Sequence, residues 1–155
     1  MNSGPPDIRS GAARQAPWWE PGAHADRAPF LRGRLAIRRA VRNFFEAQGF
    51  TEVETALLGA APCAETHLHG FRTELVSGET VAERWLPTSP EFACKKLLAA
   101  GETRIFELAR AFRNRETGPL HAAEFTMLEW YRAGAPYDEV IADTVAVIRA
   151  GAAAV

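Results

Sequence analysis

Cysteine is scarce: Cys63 and Cys94 are the only two in the sequence. Two are too few for a disulfide framework, so a reducing cytoplasm is the expected setting. No apolar run approaches the roughly 20 residues that a membrane helix needs, which excludes a spanning segment of that kind. The N-terminus has Asp7 and several prolines and lacks an apolar stretch behind a basic start, so no signal peptide is read there. An excess of charge is also missing. Lys and Arg total 18 against 19 Asp and Glu, for a net charge of −1. That balance argues against a dedicated nucleic-acid binder, while leaving room for a local basic patch. No internal repeat is evident. The turn at Gly118 has no Gly-Lys-Ser/Thr after it and is no phosphate-binding loop of that type.

What is present is one ordinary domain's worth of chain. The 155 residues are 47% hydrophobic and 24% charged, the balance of a globular protein able to bury a core. Met1 to Pro29, rich in Gly, Pro, Ala and Arg, reads as a flexible leader, with Trp18 and Trp19 available to dock onto the domain. A helix is predicted from about Phe30 to Gln48, because Ile37, Ala40, Val41, Phe44 and Phe45 share one face and Gly49 suits the residue after its end. Arg34, Arg38 and Arg42 form a ridge beside that stripe, read as a solvated or partner-facing ion-pairing surface.

Phe50 to Thr55 then reads as a short strand, and weaker strand signals lie between Leu68 and Val76. Ser89-Pro90-Glu91 has the chemistry of a helix start: a capping hydroxyl, a proline for the first turn and a carboxylate for the positive end. That helix is expected to reach Ala100. Two alternating segments, Arg104 to Arg113 and Glu124 to Tyr131, read as an antiparallel hairpin with a long loop. An amphipathic helix starts near Tyr137 and uses Val140, Ile141, Val145 and Ile148. The order of elements predicts an α+β fold built on an antiparallel sheet.

Chemistry concentrates in the hairpin. Strand alternation puts Phe125, Met127, Glu129 and Tyr131 on one face, with Arg113 at the loop end beside Asn114, Arg115 and Glu116. A cation, a carboxylate, a phenol and a flat ring suit a nucleotide together with a small cationic ligand. The same residues equally fit an ordinary ion-paired hairpin.

Phe112-Arg113-Asn114, His121 and the run Glu124 to Arg132 (EFTMLEWYR) resemble motif 2 of the class II aminoacyl-tRNA synthetases of the lysyl type. Gly49 to Thr55 after a long helix resembles motif 1, the dimer-forming helix and strand. Thr88-Ser89-Pro90-Glu91 with Lys95, Lys96 and Leu97 resembles the amino-acid-binding segment. The resemblance covers about Phe30 to Tyr137, in the family's order and spacing, and is most similar to the short lysyl-synthetase paralogues that attach β-lysine to elongation factor P. Fewer than thirty residues precede the motif 1 helix, an expectation against an anticodon-binding barrel and against tRNA as partner.

The resemblance implies that residues 30–155 are the N-terminal part of a class II catalytic domain, dimeric through residues 30–55, behind a leader of residues 1–29. It implies ATP and Mg²⁺, and activation of lysine or β-lysine as an adenylate before transfer to a lysine of elongation factor P. By position, Arg113 would be catalytic at the α-phosphate, with Phe125 on adenine, His121 near the outer phosphates and Glu116 as the adenine-side carboxylate. Glu91 would take the α-amino group, while Glu129 and Tyr131 would face the lysine side chain. No metal ligand is expected in this stretch. Ala56 stands where motif 1 usually ends in proline, Arg115 where motif 2 usually has glutamate, and Ala122-Ala123 where Asn-Pro is usual. Nothing after Tyr131 resembles motif 3, so residues 1–155 alone are expected to be inactive. Transfer to tRNA, and a non-catalytic fragment, are the alternatives.

Other candidates are weaker. Cys63, His67 and His69 give three local ligands without zinc-finger spacing, so a zinc site is not expected there. Cys94 reads as a small buried hydrophobe, and Arg104 and Glu107 as surface partners on a strand.

Overall fold

The computed structural model describes residues 16–62 and 65–155. Helix α1 spans Pro21–Ala47, with Glu20 in extended backbone before it and Pro21 in its first turn. It therefore starts well before Phe30, and Pro21 to Pro29, expected as leader, is helical. Pro21 is preorganised for a first turn, and the alanines at 23, 25 and 28 favour helix strongly enough to carry Pro29 inside it. Trp18 and Trp19 stay exposed rather than docking, Trp18 beneath the Arg27 guanidinium at 5.4 Å. The rest of the leader, residues 1–15, lies outside the described residues.

Gly49 ends the helix in the left-handed region at φ 75°, which costs glycine little and turns the chain into the sheet. Strand β1, Thr51–Glu52, is shorter than the segment expected and runs parallel to β4, Arg104–Phe112. Val53 continues the contact through its amide to the Phe106 carbonyl at 2.9 Å. β4 pairs antiparallel with β5, Glu124–Arg132, over its whole length, from Arg104 opposite Arg132 to Phe112 opposite Glu124. A separate two-stranded ribbon joins β2, Phe71–Ser77, to β3, Thr80–Leu86, through a turn in which Gly78 takes φ 60°. Helix α2, Glu91–Ala99, precedes β4, and α3, Tyr137–Ala152, follows β5. The α+β architecture expected from the sequence is present, with β1 adding a parallel partner to the antiparallel pair.

The two faces of β4 and β5 are used differently. On one, Phe106, Leu108, Leu128 and Trp130 meet Val41, Phe44 and Phe45 of α1, Phe50, and Val147 of α3. Phe45 is fully buried at the centre and stacks on Phe106 with ring centroids 4.9 Å apart. Burying such a ring is worth roughly 1.5–3 kcal/mol, which makes this cluster the fold's anchor. α3 is held here against α1: a Cβ added at Gly151 would sit 3.5 Å from Ile37. Arg132 closes the end of the cluster, donating to Asp143 at 2.7 and 3.0 Å while lying over the Phe50 ring. On the arginine ridge of α1, Arg42 pairs with Glu52 at 2.8 Å and Arg34 donates to Thr126 at 2.7 Å. The opposite face of the strand pair carries the candidate site.

Candidate active site

β4 and β5 present Ala111 opposite Phe125, Ala109 opposite Met127, Glu107 opposite Glu129 and Ile105 opposite Tyr131 on this second face. Small residues on β4 leave open the space in front of the larger β5 side chains. Phe125 and Glu129, four residues apart, are separated by about 13 Å along the strand. The face therefore divides into two ends.

At the loop end, Arg113 follows the last residue of β4, and its amide donates to the Ala123 carbonyl at 2.9 Å, which closes the strands around it. Its guanidinium carbon lies 5.3 Å from the centroid of Phe125. Nε donates to the Thr88 carbonyl at 3.3 Å, and Nη1 approaches a Glu116 carboxylate oxygen at 3.7 Å. Arg113, Glu116, His121 and Phe125 line one cavity of about 270 Å³, with Leu120 and Ala122. All four residues expected on the nucleotide side are thus together. Arg115 adopts φ 66°, an uncommon conformation for a residue with a side chain. Its amide is held by the Asn114 side chain at 2.9 Å, and the turn brings Glu116 back toward Arg113.

At the other end, Tyr131 donates its phenolic proton to Glu129 at 2.8 Å, and Ser89 donates to the second Glu129 oxygen at 3.4 Å. Burial, then the hydrogen bond to Glu129, pushes the Tyr131 hydroxyl well above its ordinary range, so it is a donor at neutral pH. Ser89 also accepts from the Glu91 amide at 3.2 Å, where the helix start was expected. Glu91 opens α2 and receives Lys95 from the next turn. The segment containing Thr88 and Ser89 joins the two ends: the Thr88 carbonyl holds Arg113, and the Ser89 hydroxyl holds Glu129.

Glu107 departs from its expected place on the surface. It is 4% exposed and accepts from the Thr55 amide at 3.0 Å, from the Thr55 hydroxyl, and from Cys94 at 3.6 Å. Its alternation partner across the strands is Glu129, and the segment containing Thr55 and helix α2 both pack over it. Arg104, by contrast, is exposed and donates to the Gln48 carbonyl. Cys94 is buried as expected, and burial with the neighbouring Glu107 charge pushes its thiol up to about 12. No sequence signal marks Glu107, since Arg104 and Arg110 on the same strand make a charged residue there look like surface. Ser89 is legible as a cap and as part of the segment that resembles the amino-acid-binding one, but not as a partner of Glu129.

No group of three or more His, Cys, Asp or Glu is placed to hold a metal ion among the described residues. His69 contributes backbone, its carbonyl accepting from the Asn114 amide at 2.7 Å, and Cys63 lies outside the described residues. Among the described residues, no helix is long and apolar enough to cross a membrane.

The sheet with its β4–β5 hairpin and flanking helices is consistent with part of a class II synthetase-like domain. Residues 24–155 match the family model of the class II tRNA synthetases for D, K and N, and the chain belongs to that family. Within it, the chain is 47% identical over 123 residues to the elongation factor P–(R)-β-lysine ligase of Pseudoalteromonas translucida, covering 78% of this chain and 36% of that protein. It is 44% identical over 142 residues to the protein of the same name from Vibrio cholerae, covering 87% of this chain and 43% of that protein. The Vibrio vulnificus ligase is 42% identical over 125 residues, or 79% of this chain and 38% of that protein. The chain thus spans well under half the length of the curated relatives it matches.

Proposed function

We propose that this chain forms the amino-acid and nucleotide face of an ATP-dependent ligase that activates lysine or (R)-β-lysine and passes it to a lysine of elongation factor P. The observation that carries this reading is the two-ended face of β5, where Arg113 over Phe125 stands at one end and the Ser89–Glu129–Tyr131 network at the other. The names of the relatives supply the acceptor.

In this reading ATP is a substrate, and the adenine ring stacks on Phe125 in the Arg113 cavity. The substrate carboxylate attacks the α-phosphorus, its bond to oxygen breaks on the far side, and pyrophosphate leaves with that electron pair. Arg113 holds a non-bridging α-phosphate oxygen and stabilises the charge that builds there, in place of its contact with Glu116. Glu116 turns to the adenine side, and His121 meets the outer phosphates. Glu129, already oriented by Tyr131 and Ser89, keeps lone pairs free for the side-chain ammonium, and Glu91 receives the other amino group. The acceptor amine then attacks the adenylate carbonyl and AMP departs. Mg²⁺ would supply charge neutralisation at the phosphates, and among the described residues no cluster of three or more His, Cys, Asp or Glu is placed to hold it. A cytoplasmic homodimer formed through residues 30–55 completes the proposal.

The test uses these residues within a chain of the relatives' full length, hereafter the full-length protein, with lysine or (R)-β-lysine, ATP and purified elongation factor P. Expected are amino-acid-dependent pyrophosphate exchange and a stable acyl-elongation factor P product. Absence of exchange with both amino acids removes the ligase reading, and charging of tRNA in place of elongation factor P removes the proposed acceptor.

A further inference from the structure

We propose that Glu107 is a positioning residue for the amino-acid pocket, a buried clamp that fixes the Thr55 segment and helix α2 against the floor on which Glu129 stands. The inference rests on the ligase reading above, which gives Glu107 no role.

Two separate pieces of chain converge on this one carboxylate of β4. Thr55, on the segment leaving β1, donates both its amide, at 3.0 Å, and its hydroxyl, at 3.0 and 3.2 Å to the two oxygens. Cys94, three residues into α2 from Glu91, donates from the other side at 3.6 Å. Glu107 itself belongs to β4, directly across from Glu129. A buried carboxylate is tolerated only when donors satisfy it, and here the donors come from the Thr55 segment and from α2. Glu91 and Ser89 both belong to the α2 start, so the lateral position of α2 decides how far they stand from Glu129. Remove the acceptor, and the Thr55 amide loses its partner while α2 loses the tie that Cys94 makes from within the helix, beyond those of Thr88 and Ser89 ahead of it. A shift of about 1 Å in such a pocket suffices to change reactivity by roughly a hundredfold.

The hydrogen-bond geometry, rather than the negative charge, is what the clamp uses. A glutamine at this place keeps one oxygen for the Thr55 amide, and its amide group can donate to the Thr55 hydroxyl or the Cys94 sulfur. Leucine, of similar size, keeps neither. The nucleotide end lies at Phe125, opposite Ala111, two pleats away and held by Thr88 and Ala123 instead. An effect of Glu107 should therefore fall on the amino acid and spare ATP.

The experiment is steady-state pyrophosphate exchange by the full-length protein, varying lysine or (R)-β-lysine and ATP separately, for wild type, Glu107→Gln and Glu107→Leu. Expected is a rise of roughly tenfold to a hundredfold in the amino-acid KM of Glu107→Leu, with the ATP KM within about threefold of wild type and the Gln variant close to wild type in both. Simple loss of folded protein would lower kcat and leave both KM values alone, which would overturn the proposal. So would equal amino-acid KM values for the Leu variant and wild type. If Glu107→Leu does not fold, Thr55→Val against Thr55→Ser carries the same comparison: Val should raise the amino-acid KM by about threefold or more, and Ser should not. An equal effect of Val and Ser overturns the clamp. A wild type without amino-acid-dependent exchange overturns this inference together with the ligase reading, whereas an active wild type with indifferent variants overturns the clamp alone.

Discussion

The Arg113 guanidinium lies over the Phe125 ring, 5.3 Å from its centroid, so the cation and the stacking surface at the nucleotide end support each other before any ligand arrives. The pair makes the two side chains separable by kinetics. Arg113→Ala removes a charge needed as the α-phosphorus is attacked, and pyrophosphate exchange by the full-length protein should slow by about a hundredfold or more. Phe125→Ala removes a stacking surface and should act mainly on ATP, raising its KM roughly tenfold while lowering kcat less. Unchanged exchange in the arginine variant would remove its proposed role.

Glu129 is held from both sides, by Tyr131 at 2.8 Å and Ser89 at 3.4 Å. A pocket with an oriented carboxylate rejects a ligand that brings no cation, because the carboxylate is then desolvated without a partner. Lysine or (R)-β-lysine should be activated at least about a hundredfold better than norleucine, measured as kcat/KM in exchange. Glu129→Gln should erase most of that ratio, and Tyr131→Phe should reduce it. Equal use of norleucine by the wild type would show that Glu129 does not read the side-chain charge.

The elements that were legible in the sequence are those fixed by local pattern. The stripe Val41, Phe44 and Phe45, the alternation of β4 and β5, and the start of α3 at Tyr137 each follow from spacing along a single segment. The shared face of Phe125, Met127, Glu129 and Tyr131 follows from strand alternation alone. What escaped depends on distant partners. Glu107 looks like a surface carboxylate until Thr55 and Cys94 close over it. β3 is masked by Glu83 and Arg84, whose charges find partners within the ribbon: Glu83 takes Arg72 and the Trp85 indole. α3, which has no evident partner in sequence, finds one in α1, where Gly151 permits close approach to Ile37. The early start of α1 is hidden by Pro29, a residue that normally marks a boundary.

Two ion pairs on this chain should differ sharply in what they contribute. The Arg132 and Asp143 side chains are 9% and 5% exposed, and joined by two hydrogen bonds at 2.7 and 3.0 Å. Asp143→Ala removes the nearest carboxylate from a guanidinium buried over Phe50, leaving it Glu139 at 3.7 Å and the Gln48 side chain, and should cost about 3 kcal/mol in urea unfolding of the full-length protein. Arg42 and Glu52 are 35% and 29% exposed, and water takes over when the pair is cut. Glu52→Ala should cost about 1 kcal/mol or less. Equal losses in the two variants would mean that Arg132 is hydrated rather than sealed.

Alkaline pH should weaken the fold through Cys94 and Tyr131. Burial, and then the Glu107 charge, pushes the Cys94 thiol up from 9.0 to about 12, and burial with the hydrogen bond to Glu129 raises Tyr131 from 10.0. The folded protein thus favours the protonated form of both. Below pH 9 folded and unfolded chains alike keep these protons, and the contribution is complete. Above it the unfolded chain releases protons that the folded chain retains, so stability falls as pH rises from about 9 toward about 12. Urea midpoints for the full-length protein should decline across that window, and the decline should be shallower in Cys94→Ala and in Tyr131→Phe. The same burial keeps the thiol protonated and inaccessible at pH 8, so in a Cys63→Ser background Cys94 should resist an aromatic disulfide reagent until urea unfolds the chain. Modification of Cys94 at the rate of a free thiol, or an alkaline decline identical in all variants, would show that the thiol is not packed against Glu107 and that these two groups do not drive the loss.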